Sequence, residues 1–319
     1  MKIEVVDKDG SGILNKLADA IGASVRGRFI DIPEKLGEGY MTGFNWGNDL
    51  RMMIRNYYLK EEIVLERKNI IPEGQENVIF FLSGIFDSSV QKEKLLPEQP
   101  NVFICMQSVS SVIAMPQNTF FRSITISASR DYLKQRFSEL QHPVISNILS
   151  SQDTFAYETG ISPAMVTTAG EMIHQLVPQS LESHYNKLKC EELLCHIFAM
   201  LLQREQTPAS GIHIKDIKAI YSIKFYLQSN LDKAPDIASL AKEAGMSEPK
   251  LRKLFKQTFG KGVFEYYQFM RMQEAARLLK EKHLSVSEAG YELGFTNLSH
   301  FSRVFEQHIG LKPKKYSAL

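Results

Sequence analysis

The chain has 319 residues, of which 44% are hydrophobic and 23% are charged. This length favours two domains, and the apolar content is enough for two cores, which excludes a largely disordered protein. No run of about 18 apolar residues occurs, so no membrane span is expected. The charged N-terminus lacks the apolar stretch of a signal peptide, and we expect the protein to stay in the cytoplasm.

The charge is distributed unevenly along the chain. Residues 1–212 carry 20 Lys and Arg against 25 Asp and Glu, a balance of −5, whereas residues 213–319 carry 18 against 11, a balance of +7. A basic tail beside an acidic half is typical of a nucleic-acid-binding domain joined to a different domain. A basic surface that serves only solubility would give the same balance, so charge alone does not decide between the two.

The three cysteines, Cys105, Cys190 and Cys195, do not have the spacing of a zinc site. We expect all three to be buried structural thiols. Cys190 and Cys195 are five residues apart in a predicted helix and therefore point to different faces of it.

Short runs rich in Val, Ile, Phe and Tyr fill the chain from about Phe29 to Ala128. Turn signals at Pro72–Gly74 and Pro97–Asn101 interrupt them, so we predict β-strands. The predicted strands include Asn77–Ser83, Gly84–Val90, Asn101–Gln107 and Phe120–Ser127. Many short strands at this spacing favour a small barrel or a sandwich.

Helices are predicted on both sides of the strand region, over Ile13–Ile21, Asp131–Gln141, Pro163–Leu176 and Leu181–Gln203. The last of these has a broad apolar stripe made of Leu188, Leu193, Leu194, Ile197, Phe198, Leu201 and Leu202. We expect most of the stripe to pack on the strands, and a dimer interface on part of it stays open. A domain boundary is predicted at Gln206–Ile212, because this segment is short, polar and contains Pro and Gly.

A helix-turn-helix pattern begins at Asp236, which is placed to cap a helix over Ile237–Ala244. Ala241 is small enough for a second helix to cross there, and Gly245 follows where the turn requires a left-handed backbone. Ser247 is placed to cap the second helix. That helix has an apolar inner face of Leu251, Leu254 and Phe255 and a polar, basic outer face of Glu248, Pro249, Arg252, Lys253 and Lys256. A major groove accepts a helix of this kind.

The pattern recurs about 50 residues downstream, with Ser285 as a cap, Gly290 as the small residue and Gly294 as the turn. Thr296 or Asn297 is placed to cap the next helix. That helix has an inner face of Phe301, Val304 and Phe305 and an outer face of Leu298, Ser299, His300, Ser302 and Arg303. Two such patterns in register, with both glycines kept, are much harder to obtain by accident than one.

The segment 214–319 resembles the DNA-binding domain of the AraC/XylS family. Gly294–Tyr316 (GFTNLSHFSRVFEQHIGLKPKKY) is similar to the most specific signature of that family. The predicted helix Val263–Lys282 between the two motifs matches the family's linker helix at Phe264, Tyr267, Arg271, Ala275 and Leu279. Two positions depart from the family pattern: Ser317 stands where the family usually has Arg, and Gly290 where it usually has Ala.

The resemblance implies an all-α C-terminal domain with motifs at about 236–257 and 285–307, and double-stranded DNA and RNA polymerase as partners. It also implies that the outer faces of both second helices read DNA. In the first motif, Arg252 and Lys253 are expected at bases or phosphates, and Glu248 at a cytosine amine. In the second, the expected readers are Ser299, His300, Ser302 and Arg303, with Leu298 at a thymine methyl group. Lys312, Lys314 and Lys315 are expected to face phosphate or solvent.

For the N-terminal half, the resemblance implies an α+β domain over residues 1–205 that binds an effector and dimerises. It would have a cupin-like β-barrel to about residue 128, helices over 129–205 and a linker at 206–213. All eight histidines lie at or after His142, so the barrel segment has no His for a metal, which argues against a metal-dependent enzyme. Candidates to line a ligand site are Phe44, Trp46, Met52, Arg55, Tyr57, Phe80, Phe103 and Phe121, with ordinary core packing as the alternative for each.

Several functions stay open at this point. The overall layout, with a strand region that contains the turn Phe80–Gly84, resembles the pyochelin-regulator branch of the family, which implies an iron-siderophore effector. A regulator without a small-molecule effector, whose N-terminal half only dimerises or binds a protein, is the alternative. A DNA-repair methyltransferase with the same DNA-binding domain would need a cysteine-rich zinc site, which three cysteines do not supply. No GxGxxG, P-loop, GxSxG or HExxH motif occurs, so we expect no enzyme and no cofactor.

Overall fold

The computed structural model describes residues 2–7, 13–69, 77–86, 100–110, 112–115, 117–118, 120–173, 177–205 and 211–318. The chain divides into two compact units, Met1–Ile212 and His213–Leu319. The predicted turn at Pro72–Gly74, residues 97–99 of the second predicted turn and residues 206–210 of the predicted linker lie outside the described residues.

The strands of the first unit are β1 (Lys2–Asp7), β2 (Val25–Arg26), β3 (Phe29–Asp31), β4 (Gly37–Asn45), β5 (Leu50–Leu59), β6 (Ile63–Asn69), β7 (Val78–Ser83), β8 (Asn101–Met106), β9 (Val112–Met115), β10 (Phe120–Ala128) and β11 (Ala156–Thr159). Eight of them form one antiparallel sheet in the order β11-β8-β7-β10-β5-β4-β3-β2. The other three form a small sheet in the order β1-β6-β9, in which β1 runs parallel to β6.

The predicted barrel is not closed among the described residues. The large sheet ends at β11 on one edge and at β2 on the other, and in the described part of the chain β1, β6 and β9 pair only with one another. The strand predicted over Gly84–Val90 is also wrong where it can be checked. Residues 84–86 are not strand, since Gly84 has a positive φ of 59° and ends β7, and residues 87–90 lie outside the described residues.

The helices of the first unit are α1 (Ile13–Ile21), α2 (Arg130–Phe137), α3 (Pro143–Ser150), α4 (Pro163–Ile173) and α5 (Glu182–Leu202). Sequence reasoning missed α3. Pro143 occupies its first turn, and the ring of His142 caps it by accepting a hydrogen bond from Val144 N–H at 3.3 Å. The available sequence signal was a proline at the first helical position, followed by apolar residues at 144, 145, 148 and 149, which the structure buries.

The large sheet separates two cores. Even-numbered residues of β5, β7 and β10, such as Met52, Phe80 and Ile124, pack with helices α2 to α5 on one face, which we call the helix face. On the opposite face, which we call the inner face, Tyr57 and Phe121 pack with α1 and the small sheet. The strict alternation follows from the two-residue period of a strand.

Helix α5 is buried along one side only. Leu193, Leu194, Ile197, Phe198 and Leu201 belong to the core on the helix face. The other two members of the predicted stripe, Leu188 and Leu202, are exposed, at 52% and 42%.

The cysteine prediction is correct for Cys105 and Cys190, which are buried, and wrong for Cys195, which is exposed. Cys195 lies on the solvent side of α5. Burial raises the pKa of the Cys190 thiol, so this thiol stays protonated.

The helices of the second unit are α6 (Ile214–Ser229), α7 (Ile237–Glu243), α8 (Glu248–Phe259), α9 (Val263–Lys280), α10 (Val286–Glu292), α11 (Leu298–Ile309) and α12 (Pro313–Ser317). This unit is all-helical where it is described. None of the helices described in either unit is long and apolar enough to cross a membrane.

Candidate functional site

The first motif of the second unit consists of α7, a turn and α8. The carboxylate of Asp236 caps α7 by accepting from Ala238 N–H at 3.0 Å, and hydrogen bonds led by the Ser239 hydroxyl lower the pKa of Asp236. The turn closes with two backbone bonds, from Gly245 N–H to Lys242 O and from Met246 N–H to Ala241 O. This pair of bonds is the Schellman ending of a helix, and it requires the positive φ of 64° that Gly245 has.

The second motif repeats this geometry with α10 and α11. Ser285 and Glu288 form a reciprocal capping box at the start of α10, and the Asn297 side chain caps α11 by accepting from His300 N–H at 3.0 Å. Backbone bonds from Gly294 N–H to Tyr291 O and from Phe295 N–H to Gly290 O close the turn. Each turn bond thus has its equivalent 49 residues earlier, so the two motifs have turns of the same type.

The two turn glycines differ in their surroundings. A Cβ on Gly245 would meet no atom within 4 Å. A Cβ on Gly294 would lie 2.0 Å from the carbonyl oxygen of Asp232, which is in the loop between α6 and α7. The same loop contributes Leu231 to the core of the second motif, and Leu231 O accepts from the Tyr267 hydroxyl at 3.2 Å. Gly294 therefore has two roles: it adopts the left-handed backbone of the turn, and its lack of a Cβ leaves room for the backbone of Asp232.

The outer face of α8 carries the predicted first set of DNA-reading residues. Pro249, Arg252 and Lys253 are exposed, and Glu248 and Lys256 are half-buried. Arg252 Nη2 lies 3.3 Å from Glu248 Oε2, one turn earlier on the helix. Such an exposed pair contributes only about 0.3–0.5 kcal/mol. It can therefore orient the Arg252 side chain without preventing Arg252 from leaving Glu248 for another partner.

The outer face of α11 carries the second set. Ser299, His300 and Arg303 are exposed, and Leu298 and Ser302 are half-buried. Arg303 Nη2 lies 3.2 Å from His300 Nδ1. A guanidinium can only donate, so His300 Nδ1 is the acceptor in this contact.

The second helices of the two motifs differ in their total charge. Helix α8 (EPKLRKLFKQTF) carries four Lys and Arg against one Glu, whereas α11 (LSHFSRVFEQHI) carries one Arg against one Glu. The positive charge next to α11 comes from α12, where Lys314 and Lys315 are exposed. Helix α8 is thus suited to phosphate attraction and α11 to hydrogen bonds and apolar contacts with bases.

Sequence reasoning missed two structural roles. Lys250 on α8 lies 2.9 Å from Asp216 on α6, so this lysine fastens the helix to its own domain. Arg271, identified only as part of the linker-helix pattern, is 7% exposed and donates from Nη2 to Leu293 O at the turn of the second motif. Its guanidinium carbon lies 3.9 Å from the ring centroid of Phe295 and 5.1 Å from that of Tyr267. The available sequence signal was a charged residue at a position of α9 that faces the protein core.

The sheet divides the predicted effector residues into two groups. Phe44, Met52 and Phe80 lie on the helix face as core residues, and Trp46 packs against them, stacked on Phe44 at 5.5 Å. Trp46 Nε1 donates to Ser183 at the start of α5, at 3.1 Å. Arg55, Tyr57, Phe103 and Phe121 lie on the inner face, by strand alternation and register. Each group therefore shares one face of the sheet, and the two groups lie on opposite faces.

Comparison with known proteins gives two family matches. Residues 240–318 match a family described as a helix-turn-helix domain. Residues 44–213 match the family described as regulatory protein PchR N-terminal domain, which covers more than half of the chain.

Individual proteins match over part of the chain. The HTH-type transcriptional activator RhaR of Yersinia pseudotuberculosis is 27% identical over 149 residues, which are 46% of this chain and 51% of that protein. The HTH-type transcriptional regulator GlxA of Rhizobium meliloti is 24% identical over 143 residues, 45% of this chain and 44% of that protein. A solved structure of a probable AraC family transcriptional regulator from Rhodopseudomonas palustris has 26% identity and a TM-score of 0.29, over 32% of this chain and 95% of that one.

The chain therefore spans about half the length of the curated relatives it matches. The match over 44–213 and the match over 240–318 follow each other along one chain and fall on different parts of it. The chain belongs to the AraC family of helix-turn-helix transcriptional regulators, and its N-terminal domain is of the PchR type.

Proposed function

We propose that this protein regulates transcription by binding duplex DNA sequence-specifically, with α8 and α11 in two successive segments of the major groove. The observation that carries the proposal is the repeated motif, in which each second helix buries an apolar face and presents a polar outer face. Helix α9, 18 residues long, joins the two motifs and contacts both of them. RNA polymerase is the further partner that we propose for a regulator of this family.

A selection on randomised duplexes with the full-length protein at physiological salt tests the proposal. We expect enrichment of a site with two recognition elements about ten base pairs apart, because one helical turn separates successive major-groove segments on one side of DNA. Binding that is indifferent to sequence under these conditions would refute it.

The predicted reading residues are tested by Arg252→Ala and Arg303→Ala. If each arginine binds a guanine with two hydrogen bonds, each substitution weakens operator binding by about 1–3 kcal/mol and relaxes specificity at one base pair. Equilibrium binding to the selected operator and to single-base variants measures both effects. Lys134→Ala removes one exposed positive charge from α2 of the first unit and is the control. A uniform loss of affinity for all sequences, with a smaller salt slope, would instead assign the arginine to a phosphate.

We further propose that the first unit responds to a small-molecule effector, with an iron-siderophore as the candidate that its PchR-type domain suggests. Binding would shift the protein between states that differ in operator affinity. The alternative, a domain that only dimerises or binds a protein, predicts that no iron-siderophore changes operator affinity. Titration of ferric siderophores into the protein–operator complex distinguishes the two.

Homodimerisation through α5 is the partner interaction that we propose for the first unit. The exposed residues Leu188, Cys195 and Leu202 are spaced by seven, so they lie nearly on one line along the helix, as in a coiled-coil seam. We expect Leu188→Glu to convert a dimer into a monomer in sedimentation experiments, because it places a charge in the seam. Gln135→Glu on the exposed side of α2 is the control. A wild-type protein that sediments as a monomer at micromolar concentration would contradict the proposal.

A further inference from the structure

Arg303 on the outer face of α11 is held by a histidine. His300 lies three residues earlier on the helix, and its Nδ1 accepts a hydrogen bond from Arg303 Nη2 at 3.2 Å. Residues three apart on a helix are surface neighbours, so the contact needs no distortion of α11. In the part of the chain that the structure describes, Arg303 makes no ion pair with a carboxylate.

The reading arginine of the first motif has a different kind of partner. Arg252 Nη2 lies 3.3 Å from Glu248 Oε2, so this guanidinium is paired with a negative charge that a base or phosphate has to replace. A histidine nitrogen takes one N–H of Arg303 and leaves the other donors of the guanidinium for DNA. The contact with His300 can therefore stay in place while Arg303 binds a base.

The ring of His300 is itself fixed by the second motif. Its centroid lies 5.9 Å from that of Phe295, within the range of aromatic pairs. Phe295 is 5% exposed and packs against Phe301 at 5.2 Å and against the guanidinium carbon of Arg271 at 3.9 Å. The backbone N–H of His300 donates to Asn297 Oδ1 at 3.0 Å. The acceptor for Arg303 thus rests on a buried ring.

The first motif has no equivalent of this arrangement. The residues 50 positions earlier than His300 and Arg303 are Lys250 and Lys253. Lys250 lies 2.9 Å from Asp216 on α6, and a lysine has no acceptor with which to orient a neighbour. An arginine held by a neighbouring acceptor at this position is therefore a feature of α11 and not of α8.

We propose that His300 is a positioning residue, which holds the guanidinium plane of Arg303 ready for two hydrogen bonds to O6 and N7 of a guanine. A planar fork binds guanine only in the correct orientation, and a side chain that is already oriented loses less entropy on binding. The inference rests on the proposed reading of DNA by α11. It gives His300 a role through Arg303 instead of the direct base contact that the sequence suggested.

The test uses the full-length protein, the selected operator and its variants at the base pair where Arg303→Ala removes discrimination. His300→Phe keeps a ring against Phe295 and removes the acceptor, so we expect it to lower discrimination at this base pair by about three- to tenfold. His300→Gln supplies an amide oxygen as acceptor and is expected to restore most of the discrimination. His308→Phe makes the same substitution at another exposed histidine of α11 and is the matched control.

A double-mutant cycle separates positioning from direct reading. Together with Arg303→Ala, His300→Phe is expected to cause no further loss, because the two residues act through one contact. A loss at a different base pair that persists in Arg303→Ala would make His300 a reader and overturn the proposal. Arg303→Ala that weakens all sequences equally would overturn it too.

The wild-type protein separates this inference from the proposed function. Binding that is indifferent to sequence refutes both, whereas sequence-specific binding with unchanged discrimination in His300→Phe refutes only the role of His300. The urea midpoint shows whether a variant is folded, and His300→Leu replaces His300→Phe if the latter is not.

Discussion

Gly294→Ala is expected to destabilise the second motif by about 2–5 kcal/mol. Any side chain at this position must adopt a left-handed backbone, which costs about 1–2 kcal/mol. In addition, the new Cβ would be placed 2.0 Å from the carbonyl oxygen of Asp232, so a backbone segment has to move. Overpacking of this kind costs about 1–3 kcal/mol more. Urea unfolding followed by circular dichroism measures the loss.

Gly245→Ala is the matched control for this prediction. Gly245 has the equivalent place in the first motif and a similar φ, +64° against +74°, but a Cβ there meets nothing within 4 Å. We expect Gly245→Ala to lower the free energy of unfolding only by the about 1–2 kcal/mol that a left-handed backbone costs a residue with a side chain. Equal losses of stability in the two variants would show that the loop between α6 and α7 does not clash with a side chain at position 294.

Arg271→Ala is expected to cost about 3 kcal/mol and to loosen the second motif from the linker helix α9. The substitution leaves the buried carbonyl of Leu293 without its donor, at about 1–3 kcal/mol, and removes a cation that lies against two aromatic rings, at about 0.5–2 kcal/mol. Burial already lowers the pKa of Arg271, but an arginine remains charged at any ordinary pH. In a footprint, we expect the operator contacts of α11 to weaken before those of α8.

Two other variants of helix α9 separate the possible causes. Arg271→Lys keeps the charge and loses the planar fork, so it should recover part of the stability that Arg271→Ala loses. Arg277→Ala removes an arginine from the same helix that is paired with Glu274 and Glu281 and is more exposed, at 34%. Such surface pairs contribute at most about 1 kcal/mol. A result in which Arg277→Ala costs as much as Arg271→Ala would refute the role given to Arg271.

The elements of the second unit could be predicted because their signals are local. Caps at Asp236, Ser285 and Asn297 and glycines at the helix ends depend on neighbouring residues, so a sequence pattern is enough to find them. The helix predicted over Val263–Lys282 ends at Lys280, two residues earlier, which is the usual uncertainty at a helix end.

In the first unit, the presence of strands could be predicted from the sequence, but the pairing of the strands could not. Strands over Asn101–Met106 and Phe120–Ala128 were recognisable from their composition, whereas the separate small sheet depends on residues far apart in the chain, such as Ile3 and Leu65. The effector candidates were chosen as aromatic residues near strands, and only the register shows that Phe80 and Tyr57 face opposite sides. Along β10, the polar residues Ser123, Thr125 and Ser127 alternate with apolar ones. This alternation was a sequence signal that could have separated the two faces of the sheet.

The charge difference between α8 and α11 has a consequence for how the protein finds its operator. A helix with a surplus of lysine and arginine holds any duplex through its phosphates and releases it readily as salt rises, whereas a nearly neutral helix gains little until it meets matching bases. The first motif would then contribute most of the attraction to non-specific DNA while the protein moves along the duplex, and both motifs would add base contacts at the operator. We therefore expect dwell times on random DNA to follow the charge of α8, and dwell times on the operator to depend on both helices.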